Sequence, residues 1–176
     1  MQFTTRCSRH RGFTALELII VLVIGFSILA LSASKIGELF TSSKATQAVD
    51  AILNLSRAMH EFKGSPEFNP ASTDIISDLR GAELIPKSIK MVGNNLEGIW
   101  TGNITITYAN NTTSITYPNV PKSPCMKIVR GLLPSGFVDS IQGTGNPLTA
   151  NTQTPNITAA CTPAQGATSV DLVIAI

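Results

Sequence analysis

The chain is 176 residues long, enough for one globular domain together with a membrane-length segment. Its 13 basic and 11 acidic residues give a formal net charge of +2, and this near balance excludes a strongly basic nucleic-acid-binding surface. The hydrophobic content of 43% is raised by one long apolar run near the N-terminus.

The apolar run extends from Phe13 to Ala33 and contains a single charge, Glu17. As a helix it would extend about 30 Å, enough to cross the hydrocarbon core of a bilayer. Arg6, Arg9 and Arg11 precede the run without any acidic residue, and flanking positive charge favours the cytoplasmic side. The sequence therefore predicts a transmembrane helix, with the later residues outside the cytoplasm.

Glu17 indicates a function, because a carboxylate within a membrane helix costs free energy on insertion. A cut between Gly12 and Phe13 would create a new α-amino group close to it. Within one helix, the Phe13 amine and the Glu17 carboxylate lie one turn apart. In a staggered stack of helices, the amine of one subunit reaches the carboxylate of the next. Pairing offsets the desolvation of both charges and can enforce the register of the subunits.

The segment Gly12-Phe13-Thr14-Ala15-Leu16-Glu17, after a basic leader and before an apolar helix, resembles the prepilin signature of type IV pilins and the related pseudopilins. The resemblance implies a prepilin peptidase that cuts after Gly12 and methylates the new N-terminus at Phe13. It also implies that Glu17 is the acidic residue used in subunit assembly. Ala15 departs mildly from the leucine that is usual at the third mature position.

Two other interpretations of the apolar run remain open. One is an ordinary signal peptide that is cut near Ser32-Ala33-Ser34, where small residues cluster. The other is a permanent single-span anchor on an unrelated exported binding domain. Neither interpretation explains the presence of Glu17.

The three cysteines are divided between the leader and the exported part. Cys7 would be removed with the leader, which leaves Cys125 and Cys161 as an even pair in an exported domain. A disulfide between them would stabilise the fold by roughly 3–4 kcal/mol on the loop-entropy model. Two buried free thiols are the alternative. A cysteine-bounded C-terminal region is also typical of type IV pilins.

The N-terminal half is predicted to be one long helix from Phe13 to about Lys63, since no proline interrupts it. After Lys35, apolar residues recur at every third or fourth position and form one stripe that we expect to pack on the globular domain. The stripe comprises Ile36, Leu39, Phe40, Ala45, Ala48, Val49, Ile52, Leu55, Met59 and Phe62. Gly25 and Gly37 indicate either a bend or close helix packing.

The predicted organisation has four parts: a leader (1–12), a transmembrane and polymerisation helix (13–34), its amphipathic continuation (35–63) and a globular head (64–176). The head is predicted to begin with a helix over Asp74–Leu84, capped by Ser72–Asp74, and a loop to Asn95. Strands Ile104–Tyr108 and Thr113–Tyr117 follow around a hairpin loop at Ala109–Thr112, and a break at Pro118, Pro121 and Pro124 ends them. The remaining predicted elements are a helix over Cys125–Leu133, a strand over Phe137–Ile141, a polar exposed loop over Gly143–Asn156, a brief strand pairing over Ile157–Cys161, and a terminal strand over Val170–Ala175.

The predicted fold class is α+β: a long N-terminal helix packed on a small antiparallel sheet, with one disulfide, as in the type IV pilin fold. The order of elements after residue 64 resembles the type IVb branch, which includes thin-pilus and toxin-coregulated pilins. The 12-residue leader and the N-terminal Phe13 are more typical of the type IVa pilins.

No enzyme is predicted, and no cofactor or metal. His60 is the one histidine outside the leader, and the chain has no HExxH or CxxC motif. The resemblance implies the major subunit of a type IV pilus that polymerises with itself and functions in adhesion, aggregation or conjugation. The expected partners are prepilin peptidase, the assembly machinery, the inner membrane before assembly, and a receptor on a host or recipient cell. A minor pilin and a type II secretion pseudopilin remain as alternatives.

Overall fold

A computed structural model describes most of the chain. The described residues are 14–69 and 75–176, apart from the side chains of residues 31–35 and 38. The predicted leader, the Gly12–Phe13 bond and the predicted cap at Ser72–Asp74 lie outside the described residues. The chain divides into an N-terminal unit, Met1–Phe40, and a C-terminal unit, Thr41–Ile176.

The first element is α1, Ala15–Lys63, a single helix of 49 residues. It begins after Thr14, whose Oγ1 accepts a hydrogen bond from the backbone N–H of Glu17 at 3.3 Å and so caps the first turn. It ends where Gly64-Ser65-Pro66 follows, because proline cannot continue a helix and glycine is a poor helix former. The prediction of one helix that ends near Lys63 is confirmed.

One face of α1 is buried within the C-terminal unit. Its buried apolar residues, each at most 7% exposed, are Ala45, Ala48, Ala51, Ile52, Leu55, Ala58, Met59 and Phe62. The predicted stripe is therefore confirmed from Ala45 to Phe62. It is wrong for Ile36, Leu39 and Phe40, which are 48%, 68% and 66% exposed.

The second helix is α2, Ile75–Gly81, which is shorter than the predicted Asp74–Leu84. Leu79 is fully buried, as the apolar pattern predicts. The helix ends early because Glu83 adopts a left-handed conformation with φ of 58°. The N–H of Leu84 then donates to the Leu79 carbonyl, which satisfies one of the last free carbonyls of the helix.

The sheet has six strands, and all neighbouring strands are antiparallel. The strands are β1 (Lys90–Val92), β2 (Asn95–Glu97), β3 (Asn103–Ala109), β4 (Thr112–Pro121), β5 (Ser140–Gln142) and β6 (Ser169–Ala175). Their spatial order is β1-β2-β3-β4-β6-β5, so the predicted terminal strand is present and lies between two others. The buried residues of the sheet and those of α1 form one hydrophobic core.

The hairpin between β3 and β4 is confirmed, with a two-residue turn at Asn110–Asn111. These residues have φ of 51° and 63°. Positive φ at both central positions is the geometry of the turn that matches the twist of paired strands, and asparagine tolerates it well.

The hairpin of β1 and β2 was not predicted; a loop was expected up to Asn95. Lys90 pairs with Glu97, and Val92 pairs with Asn95, around a turn in which Gly93 has a φ of 63°. Each strand has only three residues, too few to show the alternation by which a strand is recognised in sequence.

The predicted break at the prolines is wrong for β4, which continues as far as Pro121. The register of β4 against β6 shifts between Tyr117 and Val120. Pro118 and Asn119 occupy this bulge, where proline is tolerated because the ladder of hydrogen bonds is already interrupted.

The next helix is α3, Lys122–Leu132, followed by a short 3₁₀ turn, Leu133–Ser135. It begins before the predicted start at Cys125. Pro124 lies in its first turn, where a backbone N–H has no partner within the helix, and so it does not break the helix. The large apolar residues in its second half and in the turn after it are buried: Ile128, Val129, Leu132 and Leu133.

The predicted strand Phe137–Ile141 is confirmed only at its end, because β5 comprises Ser140–Gln142 and residues 137–139 are not in a strand. The predicted loop Gly143–Asn156 is mainly exposed but ends at Gln153, because a helix begins at Thr154. Leu148 is the exception, since it is 4% exposed and is bridged to Ile141.

The predicted strand pairing at Ile157–Cys161 is wrong, because this segment belongs to helix α4, Thr154–Ala160. Pro155 lies in the first turn of α4, a position that favours the start of a helix. The apolar Ile157 that indicated a strand is instead buried on one face of the helix.

Within the parts of the chain that the structure describes, no helix is both long enough and apolar enough to cross a membrane. The predicted span, residues 13–34, includes Phe13 and the side chains of residues 31–34, which lie outside the described residues.

Candidate functional site

The N-terminal unit presents an apolar surface along α1. Its large apolar side chains are 48% to 69% exposed: Leu16, Leu18, Ile19, Ile20, Val21, Leu22, Val23, Ile24, Phe26, Ile28, Leu29, Ile36, Leu39 and Phe40. Between Thr14 and Ser34, Glu17 carries the only charge in the sequence. Exposed apolar surface of this extent marks a face that another apolar body covers.

Glu17 lies in the first turn of this helix and is exposed. Thr14 and Glu17 have the T-x-x-E pattern of a capping box, and its Thr14 half is formed, since Thr14 Oγ1 accepts from the Glu17 N–H. A carboxylate here also interacts favourably with the helix dipole. Sequence reasoning missed this cap, although the pattern before an apolar run was the signal for it.

No basic side chain pairs with Glu17 among the described residues. Phe13, whose amine is the predicted partner, lies outside the described residues together with Gly12. The cleavage, the methylation and the pairing therefore stay predictions.

The polar and small residues of this helix do not interrupt it. Ser27 donates its hydroxyl proton to the Val23 carbonyl at 2.8 Å, so its polar group is satisfied within the helix. A Cβ added at Gly25 or Gly37 would meet nothing within 4 Å, and α1 is continuous through both. The space beside each glycine is open to the close approach of another helix.

The predicted disulfide between Cys125 and Cys161 is present, which removes the alternative of two free thiols. The two Cα atoms are 5.7 Å apart, and both residues are fully buried. The bond joins the first turn of α3 to the residue that follows α4. It therefore holds the short α4 against a larger helix.

Hydrogen bonds reinforce this attachment. The N–H and the hydroxyl of Thr144 both donate toward the Ala160 carbonyl, at 2.8 Å each. The same hydroxyl also lies 2.6 Å from the Thr162 carbonyl. The loop after β5 and the end of α4 are thus fixed to each other beside the disulfide.

His60 lies on an exposed part of α1. Its ring centroid is 6.5 Å from that of Phe137, and the Arg57 guanidinium lies 4.8 Å from the centroid of the same ring. No group of three or more His, Cys, Asp or Glu residues in the described ranges is placed to hold a metal ion.

A solved structure of a type IVb pilin from Salmonella typhi is similar to this fold, with a TM-score of 0.56 and 22% sequence identity. The match covers 76% of this chain and 97% of that chain. Together with the long helix, the antiparallel sheet and the disulfide, this similarity defines the fold as that of a type IV pilin.

The family model described as PilS N terminal matches residues 41–175, which is more than half of the chain. The chain therefore belongs to this family, and its resemblance to the type IVb branch of the type IV pilins is confirmed. Such a subunit is a structural protein that self-assembles into an extracellular pilus. A comparison with curated proteins found no match.

Proposed function

We propose that this chain is the major subunit of a type IV pilus. Prepilin peptidase cuts its precursor between Gly12 and Phe13 and methylates the Phe13 amine. The precursor is held in the inner membrane by residues 13–34 until the assembly machinery adds it to the filament. A receptor on a host or recipient cell is the partner of the finished pilus.

The apolar surface of the N-terminal unit is the observation that supports polymerisation. Outside the membrane, each such valine, leucine, isoleucine or phenylalanine side chain left in water instead of buried in the filament would cost roughly 1.5–3 kcal/mol. The surface carries many of these side chains, and only Glu17 among them is charged. Lateral packing of α1 against copies of itself therefore supplies the cohesion of the filament.

Glu17 sets the stagger between copies by pairing with the Phe13 amine of a neighbour. A carboxylate that enters an apolar helix bundle without a partner is penalised, so only the register that pairs both charges is favoured. Glu17 has a second role to test, at the start of its own helix, because it occupies the Glu/Gln position of a capping-box pattern of which the Thr14 half is formed. The two roles differ in whether they require a charge.

Substitutions at Glu17 and Thr14 distinguish the two roles. Glu17→Gln keeps a side chain that can complete the capping box but removes the charge. We expect it to reduce the yield of sheared filaments roughly tenfold or more, because an unpaired buried charge costs about 3–5 kcal/mol. Thr14→Ala weakens the cap by about 1 kcal/mol and leaves the charge, so filaments should persist.

Glu61→Gln is the matched control, because Glu61 is an exposed residue of the same helix. It should assemble as well as the unmodified chain. Immunoblots of whole cells would verify that every variant is made and processed. Abundant filaments from Glu17→Gln, together with their loss from Thr14→Ala, would show that Glu17 acts as a cap and not as an ionic partner.

A further inference from the structure

A cavity of about 340 Å³ lies in the C-terminal unit, between α1 and the turn that joins β2 to β3. Its inner residues are buried: Ala51, Ile89, Ile104 and Tyr117. The exposed or half-exposed residues at its mouth include Lys90, Glu97 and Thr101. Its volume is at the low end of the range of about 300–1,000 Å³ in which proteins bind small ligands.

Tyr117 places an unused hydrogen-bond donor in this cavity. The residue is 1% exposed, and its hydroxyl oxygen accepts a hydrogen bond from the Ile99 N–H at 2.8 Å. Within the described part of the chain, the hydroxyl proton has no acceptor. A buried donor without an acceptor is unfavourable, so the cavity favours an occupant that accepts this proton.

The turn over the cavity, Gly98–Gly102, has a strained backbone. Thr101 has a φ of 65°, which is uncommon for a β-branched residue. Asn119, itself at a φ of 58°, donates from Nδ2 to the Thr101 carbonyl at 3.1 Å and holds the turn in this conformation. Strained residues fixed by their surroundings concentrate at binding sites.

The charges at the mouth cancel. Lys90 and Glu97 form an ion pair with each other, which leaves the cavity without net charge. The lining thus combines an apolar interior with several separate donors and acceptors. Such a surface suits a neutral molecule whose hydroxyl groups both donate and accept and whose C–H faces are apolar.

We propose that this cavity binds a neutral sugar residue of monosaccharide size. The Tyr117 hydroxyl donates to a sugar oxygen, Glu97 accepts from a sugar hydroxyl, and Lys90 donates to another. The isoleucine side chains contact the C–H face of the ring. The site belongs to the single subunit, so it does not depend on assembly of the filament.

Trp100 provides an intrinsic fluorescent probe for this site. Trp100 is the only tryptophan, and its ring centroid is 6.1 Å from that of Tyr117. The full chain in zwitterionic micelles, which have no sugar headgroup, would be titrated with D-glucose, D-galactose, D-mannose and N-acetyl-D-glucosamine. We expect at least one of them to change the Trp100 emission in a saturable manner in the millimolar range.

Tyr117→Phe removes the donor and should weaken binding of that sugar roughly tenfold. Ala51→Leu fills the cavity from α1 and should abolish binding. Tyr108→Phe is the matched control, because Tyr108 donates to Asn111 at the distant hairpin turn and its loss should leave binding unchanged. Circular dichroism would establish that each variant is folded.

Three results would overturn the proposal. The first is a Trp100 emission that does not saturate with any of the four neutral sugars, which would mean that the cavity holds only water. The second is equal affinity of Tyr117→Phe and the unmodified chain. The third is binding of glucuronate or glucosamine as tight as that of the neutral sugars.

Discussion

Among the glycines that the structure describes, Gly143 has the least space for a side chain. A Cβ added there would lie 2.3 Å from the Ala160 carbonyl oxygen and 3.2 Å from a methyl group of Val170. No side chain fits this space, because the neighbour is backbone and is held by the bonds of Thr144. Only glycine allows the loop after β5 to meet the end of α4.

The substitution Gly143→Ala should therefore lower the free energy of unfolding by about 1–3 kcal/mol through overpacking. Chemical denaturation followed by circular dichroism would measure it. Gly81→Ala is the control, since a Cβ at the end of α2 meets nothing within 4 Å. A Gly143→Ala variant as stable as Gly81→Ala would show that the contact relaxes without cost.

The buried Tyr117 makes the stability of the folded chain depend on pH in the alkaline range. Burial raises the pKa of Tyr117 above its ordinary value of 10.0, while the hydrogen bond from the Ile99 N–H opposes this rise. The folded state thus keeps the phenol proton at a pH where the unfolded chain loses it. Stability is complete below pH 10.0 and declines as the pH rises toward the folded pKa.

We therefore expect the unfolding free energy to fall as the pH is raised past 10.0, and to fall less steeply in Tyr117→Phe. Denaturant midpoints measured on both sides of that pH would show the difference. An equal slope in the two proteins would mean that other groups, and not Tyr117, cause the decline.

At the scale of elements, the disulfide compensates for the small size of α4. The helix has seven residues, and only Ile157 and Ala160 within it are buried. So few contacts would not hold an isolated short helix in place. The bond from Cys125 to Cys161 and the bonds of Thr144 supply the remaining attachment.

The double variant Cys125→Ala/Cys161→Ala should lose roughly 3–4 kcal/mol of stability, and the segment around α4 should become exposed to proteases. Limited proteolysis with mass mapping would locate the cuts. Cys7→Ala should match the unmodified chain, because Cys7 lies in the predicted leader. Cuts distributed evenly over the C-terminal unit would indicate that the disulfide does not act on α4 in particular.

The elements predicted correctly are those with a long or regular pattern. The absence of proline predicted α1, clean alternation predicted β3 and β4, and a run rich in β-branched residues predicted β6. The elements that were missed are short or depend on distant contacts. The three-residue strands around Gly93 are an example, and so is α4, where the apolar Ile157 indicated a strand although Pro155 favoured a helix start.

The candidate functional residues also include some that the sequence pattern predicts and some that it does not. The disulfide follows from an even pair of cysteines in an exported domain, and Glu17 stands out as a lone charge in an apolar run. The cavity beside Tyr117 has no counterpart in the sequence pattern. It exists because α1 and the turn at Gly98–Gly102 enclose it, and such an arrangement of distant segments is set by tertiary packing.

At the scale of the whole molecule, the chain carries two kinds of apolar surface. One is buried within the C-terminal unit, where α1 and the sheet share a core. The other remains exposed on the N-terminal unit. A protein that has completed its own core and still exposes so much apolar surface is built to associate with copies of itself.

We propose that a cut after Gly12 creates the charged N-terminus through which the apolar surface of α1 assembles. Mass spectrometry of the N-terminal peptide from sheared surface filaments would test this proposal. We predict an abundant chain that begins at Phe13 and carries one methyl group on its amine. A chain that begins at Met1 or near Lys35, without the methyl group, would show that this cut does not produce the filament subunit.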